Sequence, residues 1–370
     1  MSRIIWPAVV LAAIASLALG AAATEPATLK IGSLAPDFRL PGVDGKTYAL
    51  DDFRDADVLV IVFTCNHCPT AQAYEDRLKQ LAADYKDRKV ALVAISPNDP
   101  LAVRPDELGY SDLGDSFEDM KIRAKDKAFN FPYLYDGADQ KTAQAYGPVA
   151  TPHVFIFDRE RRLRYVGRID DSDRASRATS PDARNALDAL LAGKPVPVEK
   201  TKAFGCSIKW AGKREAAKKA QEAAAAEAVT LVPLDEPGLR ALAGGDARNL
   251  RLLYAWAPGR DGGEDALPDI ALMMPMYRRR GFDLATVAAA SPEEKDKVLA
   301  ALKEKHVAGA NYLFGGGRDA LLKAVDEKAA ALPHAVLIAP GGKVLYRRSG
   351  AVDPLELRKA VVEYLGRTYK

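Results

Sequence analysis

The sequence predicts an α/β protein built twice over, each half a mixed central sheet flanked by helices. Three observations predict it. Short apolar runs rich in β-branched residues alternate with stretches of helical spacing. In each half the alternation ends in a strand pair around a turn, followed by a helix. The halves also match at a fixed offset. Thr151-Pro152-His153-Val154 stands 181 residues before Leu332-Pro333-His334-Ala335, and Tyr165 and Tyr346 keep that spacing, which points to an internal duplication.

A chain of 370 residues leaves room for two domains, at roughly 100–200 residues each. With 48% hydrophobic and 28% charged residues, it is an ordinary globular chain. A net charge of +3 is too even to call for nucleic acid or an anionic membrane as partner. Three cysteines are too few for a disulfide-stapled scaffold, so any cysteine chemistry belongs to one or two positions.

The chain opens on Met1-Ser2-Arg3, an apolar run from Ile4 to Gly20 and the small residues Ala21-Ala22-Ala23. That order describes a secretory signal peptide over residues 1–23, and cleavage leaves a chain with no membrane span. A periplasmic or secreted location follows, where disulfides persist.

Residues 27–210 form the first unit. Val58–Thr64 is a continuous apolar run, the pattern of a strand buried on both faces. Thr70–Tyr85 is helical, with Ala73, Leu78, Leu81 and Ala82 toward one side. Val90–Ile95 is a second buried strand, Ser116–Ala128 a helix and Tyr133–Tyr135 a short strand. Val154–Phe157 and Leu163–Val166 pair around the charged turn Asp158–Arg162. Ser180 as N-cap and Pro181 at the first helical position open a helix that Gly193 ends. Residues 211–228 are Ala/Glu/Lys-rich without a large apolar face, the composition of a semi-rigid helical linker. Residues 229–370 repeat the pattern. Leu250–Trp256 is a strand, and Ser291-Pro292-Glu293-Glu294 is a capping box opening a helix to about Lys305. Val336–Ile338 and Val344–Tyr346 form a hairpin, and a last helix runs from Pro354 to about Leu365.

The chemistry concentrates at Cys65-Asn66-His67-Cys68-Pro69, between the Val58–Thr64 strand and the helix that follows. A helix N-terminus favours an anion and lowers a thiol pKa. On this reading Cys65 is the exposed nucleophile, attacking a substrate disulfide, and Cys68, one turn in, resolves the mixed disulfide. A charged His67 beside the thiolate would make the pair more oxidising.

At these residues the chain resembles a family. Ile31-Gly32-Ser33-Leu34-Ala35-Pro36-Asp37-Phe38, FTCNHCP, the FPYLYD run, YGPVATPHVFIFD and GCSIKW at Gly205–Trp210 are together similar to the peroxiredoxin-like redoxins of the thioredoxin superfamily. The resemblance covers roughly residues 30–210 and implies a thioredoxin-like domain. It further implies that Pro152 is cis and lies against the cysteine pair, with Thr151 offering backbone groups to an extended peptide. Catalytic Cys65, Cys68 and Pro152, and substrate-binding Thr151, Asn66 and His67, follow. The reaction needs no bound cofactor and no metal, only protein disulfide or dithiol substrates and a redox partner. A thiol peroxidase of the AhpC/TSA type is the alternative. However, the P-x-x-x-T-x-x-C pattern of that chemistry is absent: counting back from Cys68 finds Cys65 and Ile61, and from Cys65 finds Val62 and Val58.

A non-catalytic metal-binding or interaction protein is the rival from another class, with Cys65, His67 and Cys68 as soft ligands completed by His153 or Cys206. Cys206 reads as a small buried hydrophobe beside Phe204 and Trp210, with a third, resolving thiol as its other reading. His153 and His334 repeat in both halves, which suggests a structural role. Asp170, Asp171 and Asp173 read as a solvated loop, Arg278-Arg279-Arg280 as a solvated helix end and Gly315–Arg318 as a loop. In the second half, Tyr254-Ala255-Trp256-Ala257 is similar to the strand end before a thioredoxin active site, but the two cysteine places fall on Arg260 and Gly263. That half is expected to be a redox-silent docking or structural module.

Overall fold

The computed structural model describes residues 25–369, apart from 138, 245–247 and 260–262. The signal-peptide reading and Arg260 therefore lie outside the described residues. In the first half, a small hairpin of β1 (Arg39–Pro41) and β2 (Thr47–Ala49) precedes β3 (Val58–Phe63), α1 (Pro69–Tyr85) and β4 (Val90–Ser96). Then come α2 (Phe117–Asp126), β5 (Tyr133–Tyr135), α3 (Lys141–Tyr146), β6 (His153–Phe157), β7 (Leu163–Gly167) and α4 (Asp182–Leu191). Helix α5 (Arg214–Ala225) occupies the stretch read as a linker. The second half comprises β8 (Val232–Pro233), α6 (Glu236–Ala243), β9 (Leu250–Trp256), α7 (Leu267–Tyr277), β10 (Phe282–Ala289) and α8 (Lys295–Glu304). It continues through β11 (Ala310–Phe314), α9 (Arg318–Val325), β12 (His334–Ile338), β13 (Val344–Ser349) and α10 (Pro354–Leu365).

The first sheet has the order β5-β4-β3-β6-β7, with β3, β4 and β5 parallel, β6 antiparallel to β3, and β7 antiparallel to β6. The second runs β11-β10-β9-β12-β13 in the same directions, with β8 added outside β11. This is the thioredoxin-like topology, present twice. The repeat persists at the level of single residues. Thr151–Pro152 and Leu332–Pro333 are both cis, and His153 and His334 both open the antiparallel strand beside the central one.

β3 shows why each sheet is covered on both faces. Side chains alternate across a strand. Val58, Val60 and Val62 meet Tyr74, Leu78 and Leu81 of α1 and Ala183 and Leu187 of α4, while Leu59, Ile61 and Phe63 meet Phe38, Tyr146 and Phe155. The same division holds on β9: Leu250, Leu252, Tyr254 and Trp256 face α7, α8 and α10, and Leu253 and Ala255 face α6 and α9. A strand wrapped in this way needs no polar face, hence its unbroken apolar reading.

Three sequence readings change. The α4 helix begins one residue later than expected, with Pro181 as its N-cap and Ser180 Oγ bonded to Asp182 Oδ1 at 2.8 Å. The Asp170–Asp173 loop is not simply solvated. Asp170 is buried, Arg77 Nη1 holds both of its oxygens at 2.8 and 2.6 Å, and Tyr74 donates to it at 2.7 Å, so a cation is already supplied by the fold. The three arginines are not a free helix end either. Arg278 meets Glu227 at 2.6 Å and Arg279 meets Asp106 at 2.7 Å. Arg280 stacks 3.8 Å over Tyr110 and donates to the carbonyls of Gly109, Leu365 and Gly366. Together with Tyr277 Oη on Ser111 O at 2.8 Å, they clamp the second half onto the segment between β4 and α2.

Candidate active site

The cysteine pair lies where β3 hands over to α1, and the backbone there decides what each sulfur feels. Cys68 is the N-cap of α1, in extended conformation, with Pro69 following at a position that needs no N–H donor. Its Sγ accepts the Ala71 N–H at 3.4 Å. The cis Thr151–Pro152 loop crosses both sulfurs: Thr151 Oγ1 is 3.2 Å from Cys65 Sγ, and Thr151 O is 3.3 Å from Cys68 Sγ.

Two expectations about Cys65 are corrected. It is 3% exposed against 0% for Cys68, so neither sulfur stands open. The surroundings that favour a thiolate also lie elsewhere, at Cys68, the helix cap. Burial pushes the Cys65 thiol well up, helped by the hydrogen bond it gives Cys68 and by the Asp115 carboxylate. Burial opposes ionisation of Cys68 as well, but hydrogen bonds from Cys206, Cys65 and the Ala71 N–H, with the charge of His67, outweigh it and hold Cys68 well below the ordinary thiol range.

Asn66 and His67 turn inward. Asn66 Nδ2 donates to Gly114 O at 2.8 Å, its Oδ1 accepts from Tyr133 Oη at 3.2 Å, and its N–H reaches Asp115 at 2.9 Å. His67 Nδ1 lies 2.6 Å from Asp115 Oδ2. Both side chains brace the loop instead of facing a substrate. Burial lowers the His67 pKa, but the Asp115 charge and hydrogen bond raise it by more, so the charged form of His67 is favoured. Asp115 is the site residue that sequence reading missed. It lies 48 positions from His67, in a stretch of polar and glycine residues that reads as a loop.

Cys206 does not pack into the apolar surroundings of Phe204 and Trp210. It is half-buried against Cys65 and Cys68, within hydrogen-bonding reach of Cys68. Its backbone pairs with Thr151, whose N–H donates to Cys206 O at 2.9 Å. The chain's C-terminal residues reach the same place from the second half. Tyr369 stands near enough to Cys206 to influence its ionisation, and Arg367 holds Asp112 at 2.5 and 3.0 Å. His153 takes the structural role expected of it, with Nδ1 accepting the Val149 N–H at 3.3 Å and burial lowering its pKa to about 4.

A sulfur of Cys65, a ring nitrogen of His67 and an oxygen of Asp115 lie within 4.8 Å of one another. The donor set fits a metal poorly, since Asp115 already accepts four hydrogen bonds, from the Asn66 and His67 N–H groups, His67 Nδ1 and Asn98 Nδ2. In the second half the place equivalent to Cys68 is closed. A Cβ on Gly263 would lie 2.3 Å from Pro333 Cβ and 2.6 Å from Tyr254 Oη.

Residues 31–166 match the AhpC/TSA family. A thiol-disulfide oxidoreductase ResA of Geobacillus thermodenitrificans is 24% identical over 145 residues, which span 39% of this chain and 72% of that protein. Among solved structures, an uncharacterized conserved protein from Geobacillus kaustophilus is 41% identical over 49% of this chain and 92% of its own, with a TM-score of 0.44. A hypothetical protein from Sinorhizobium meliloti 1021 is 36% identical over 50% of this chain and 96% of its own, with a TM-score of 0.45.

Proposed function

Through the AhpC/TSA-family domain at residues 31–166 the chain is a redoxin of the thioredoxin superfamily, and on that premise we propose that it is an exported thiol–disulfide oxidoreductase working through Cys65 and Cys68. The observation that carries the reading is the contact of both sulfurs with one residue, Thr151, at the cis-proline loop. The charged start, apolar run and small-residue exit at residues 1–23 support export to the periplasm or beyond. Among the described residues no helix is long and apolar enough to cross a membrane.

The surroundings that favour ionisation lie at Cys68, and Cys65 is the attacking sulfur. The Cys65 thiol passes its proton across the hydrogen bond to Cys68, and the Cys65 thiolate attacks one sulfur of a protein disulfide. The other substrate sulfur leaves as a thiolate and takes up a proton. Cys68, whose environment favours its ionised form, then loses its proton, attacks Cys65 Sγ and releases the reduced substrate. The product is a Cys65–Cys68 disulfide, and a redox partner returns it to the dithiol.

Insulin reduction by dithiothreitol tests this. The wild type is expected to accelerate it, and Cys65→Ser to fall to the rate of dithiothreitol alone. Equal rates with and without protein, or rapid consumption of hydrogen peroxide in place of disulfide reduction, overturn the reading.

A further inference from the structure

The groove that a thioredoxin-like domain would offer to an extended substrate is already filled by this chain itself. The main chain of Thr151, the residue before the cis proline, pairs antiparallel with Cys206 and gives its N–H to the Cys206 carbonyl. Gly205 makes the approach feasible. It has φ +144, and a Cβ there would lie 2.0 Å from Thr151 O. The segment thus delivers a third sulfur to the pair from the side where a substrate disulfide would lie. Cys206 packs against the cluster of Cys65, Cys68 and Ala71 and is the most accessible of the three cysteines.

We propose that Cys206 is a third redox thiol, which takes over Cys68 in an internal Cys68–Cys206 disulfide and serves as the sulfur that an external protein dithiol meets. The proposal rests on the exchange reading above, since that reaction supplies the oxidised pair. The Cys206 thiolate attacks Cys68 Sγ of the Cys65–Cys68 disulfide. The Cys68–Cys206 bond forms, the Cys65–Cys68 bond breaks, and Cys65 leaves with the electron pair and takes the proton that Cys206 gave up. The number of disulfides is unchanged. The external dithiol then attacks Cys206 Sγ, and Cys68 departs as a thiolate into its donor-rich cap, a good leaving group. The partner's second thiol resolves the mixed disulfide and frees Cys206. Hydrogen bonding to the Cys68 thiolate and then burial raise the Cys206 pKa in the reduced protein. The first of those causes vanishes once Cys68 is in a disulfide, so Cys206 becomes easier to ionise when it is needed.

Peptide mapping separates the disulfides, because trypsin leaves Cys65 and Cys68 together on residues 55–77 and Cys206 on residues 203–209. The full chain is oxidised with diamide, alkylated and digested without reductant. The expected product is a cross-link between the two peptides in the wild type, and the same cross-link in Cys65→Ser and in Cys65→Ala. If residues 203–209 come back alkylated and uncross-linked in all three proteins, the proposal falls. Re-reduction by reduced thioredoxin is expected to be about tenfold slower in Cys206→Ser than in oxidised wild type, because the accessible sulfur is lost and only the buried Cys65–Cys68 bond remains to be attacked. Equal rates overturn the port even where the cross-link forms. A wild type that cross-links but never reduces insulin would sink the enzymatic reading and leave the third pairing intact.

Discussion

Asp115 is one side chain on which the loop, the histidine and the sulfur charge all depend, and Asp115→Asn isolates it. The carboxylate accepts the Asn66 and His67 N–H groups at 2.9 and 3.1 Å, His67 Nδ1 at 2.6 Å and Asn98 Nδ2 at 2.7 Å. An asparagine keeps the shape but presents one acceptor oxygen, so its NH2 must face donors. Hydrogen bonds to a charged group contribute about 1.5–3 kcal/mol each. Losing two of them while leaving their donors buried should cost about 3–5 kcal/mol, the range for breaking a buried ion pair from one side. The second effect is on the sulfur. With its counter-charge gone, His67 is governed by burial, becomes neutral and no longer favours the Cys68 thiolate. The Cys68 pKa should rise. Urea unfolding reads the first effect, and the ultraviolet absorbance of the thiolate as a function of pH reads the second. The pair also shapes the pH profile. The raised pKa of His67 gives stability that is complete below the ordinary histidine value and lost as pH rises through the raised one. The lowered pKa of Asp115 gives stability that is complete above the ordinary carboxyl value and lost as pH falls through the lowered one. Both edges should be missing from Asp115→Asn. A loss of stability below about 1 kcal/mol with an unmoved thiolate titration would refute the reasoning.

Three further outcomes follow from the same geometry. His153, whose pKa burial lowers to about 4, resists protonation while the unfolded chain accepts it, so stability should fall by about 3 kcal/mol as pH drops from about 6.5 to 4. His153→Gln should flatten that part of a urea-midpoint profile, and an unchanged slope would count against it. Arg280→Ala leaves the carbonyls of Gly109, Leu365 and Gly366 without their donor and removes the stack on Tyr110. A loss of about 2–4 kcal/mol is expected, with faster proteolysis between the halves, around residues 211–228, as the readout. Gly263→Ala, at φ +89 with Pro333 Cβ 2.3 Å away, should cost about 2–4 kcal/mol. Gly259→Ala, at φ +97 in open space, should carry only the backbone part, and equal melting temperatures for the two variants would contradict the steric account.

The strands that the sequence reveals best are those buried on both faces. β3, β9 and α10 carry unbroken or periodic apolar signals and stand where they are expected. β10 and α7 are not legible in the same way. Phe282–Ala289 dilutes its apolar character with alanines, Asp283 and Thr286, and Leu267–Tyr277 contains an internal proline and apolar residues on every side. Both are held by the tertiary core they share. At the site, the two cysteines and the proline loop are readable because local order fixes them. The His67–Asp115 pair, the approach of Cys206 and the arrival of Tyr369 depend on contacts between distant stretches, which neither periodicity nor composition encodes.

The filled space at Gly263 bears on how such a protein can evolve. A copied active site that has lost its sulfurs is ordinarily a few base changes from revival. Here the ring of Pro333 and the hydroxyl of Tyr254 lie within 2.6 Å of where a Cβ on Gly263 would stand, so a returning side chain would meet atoms on arrival. Restoring the old chemistry would require several coordinated replacements, each harmful alone.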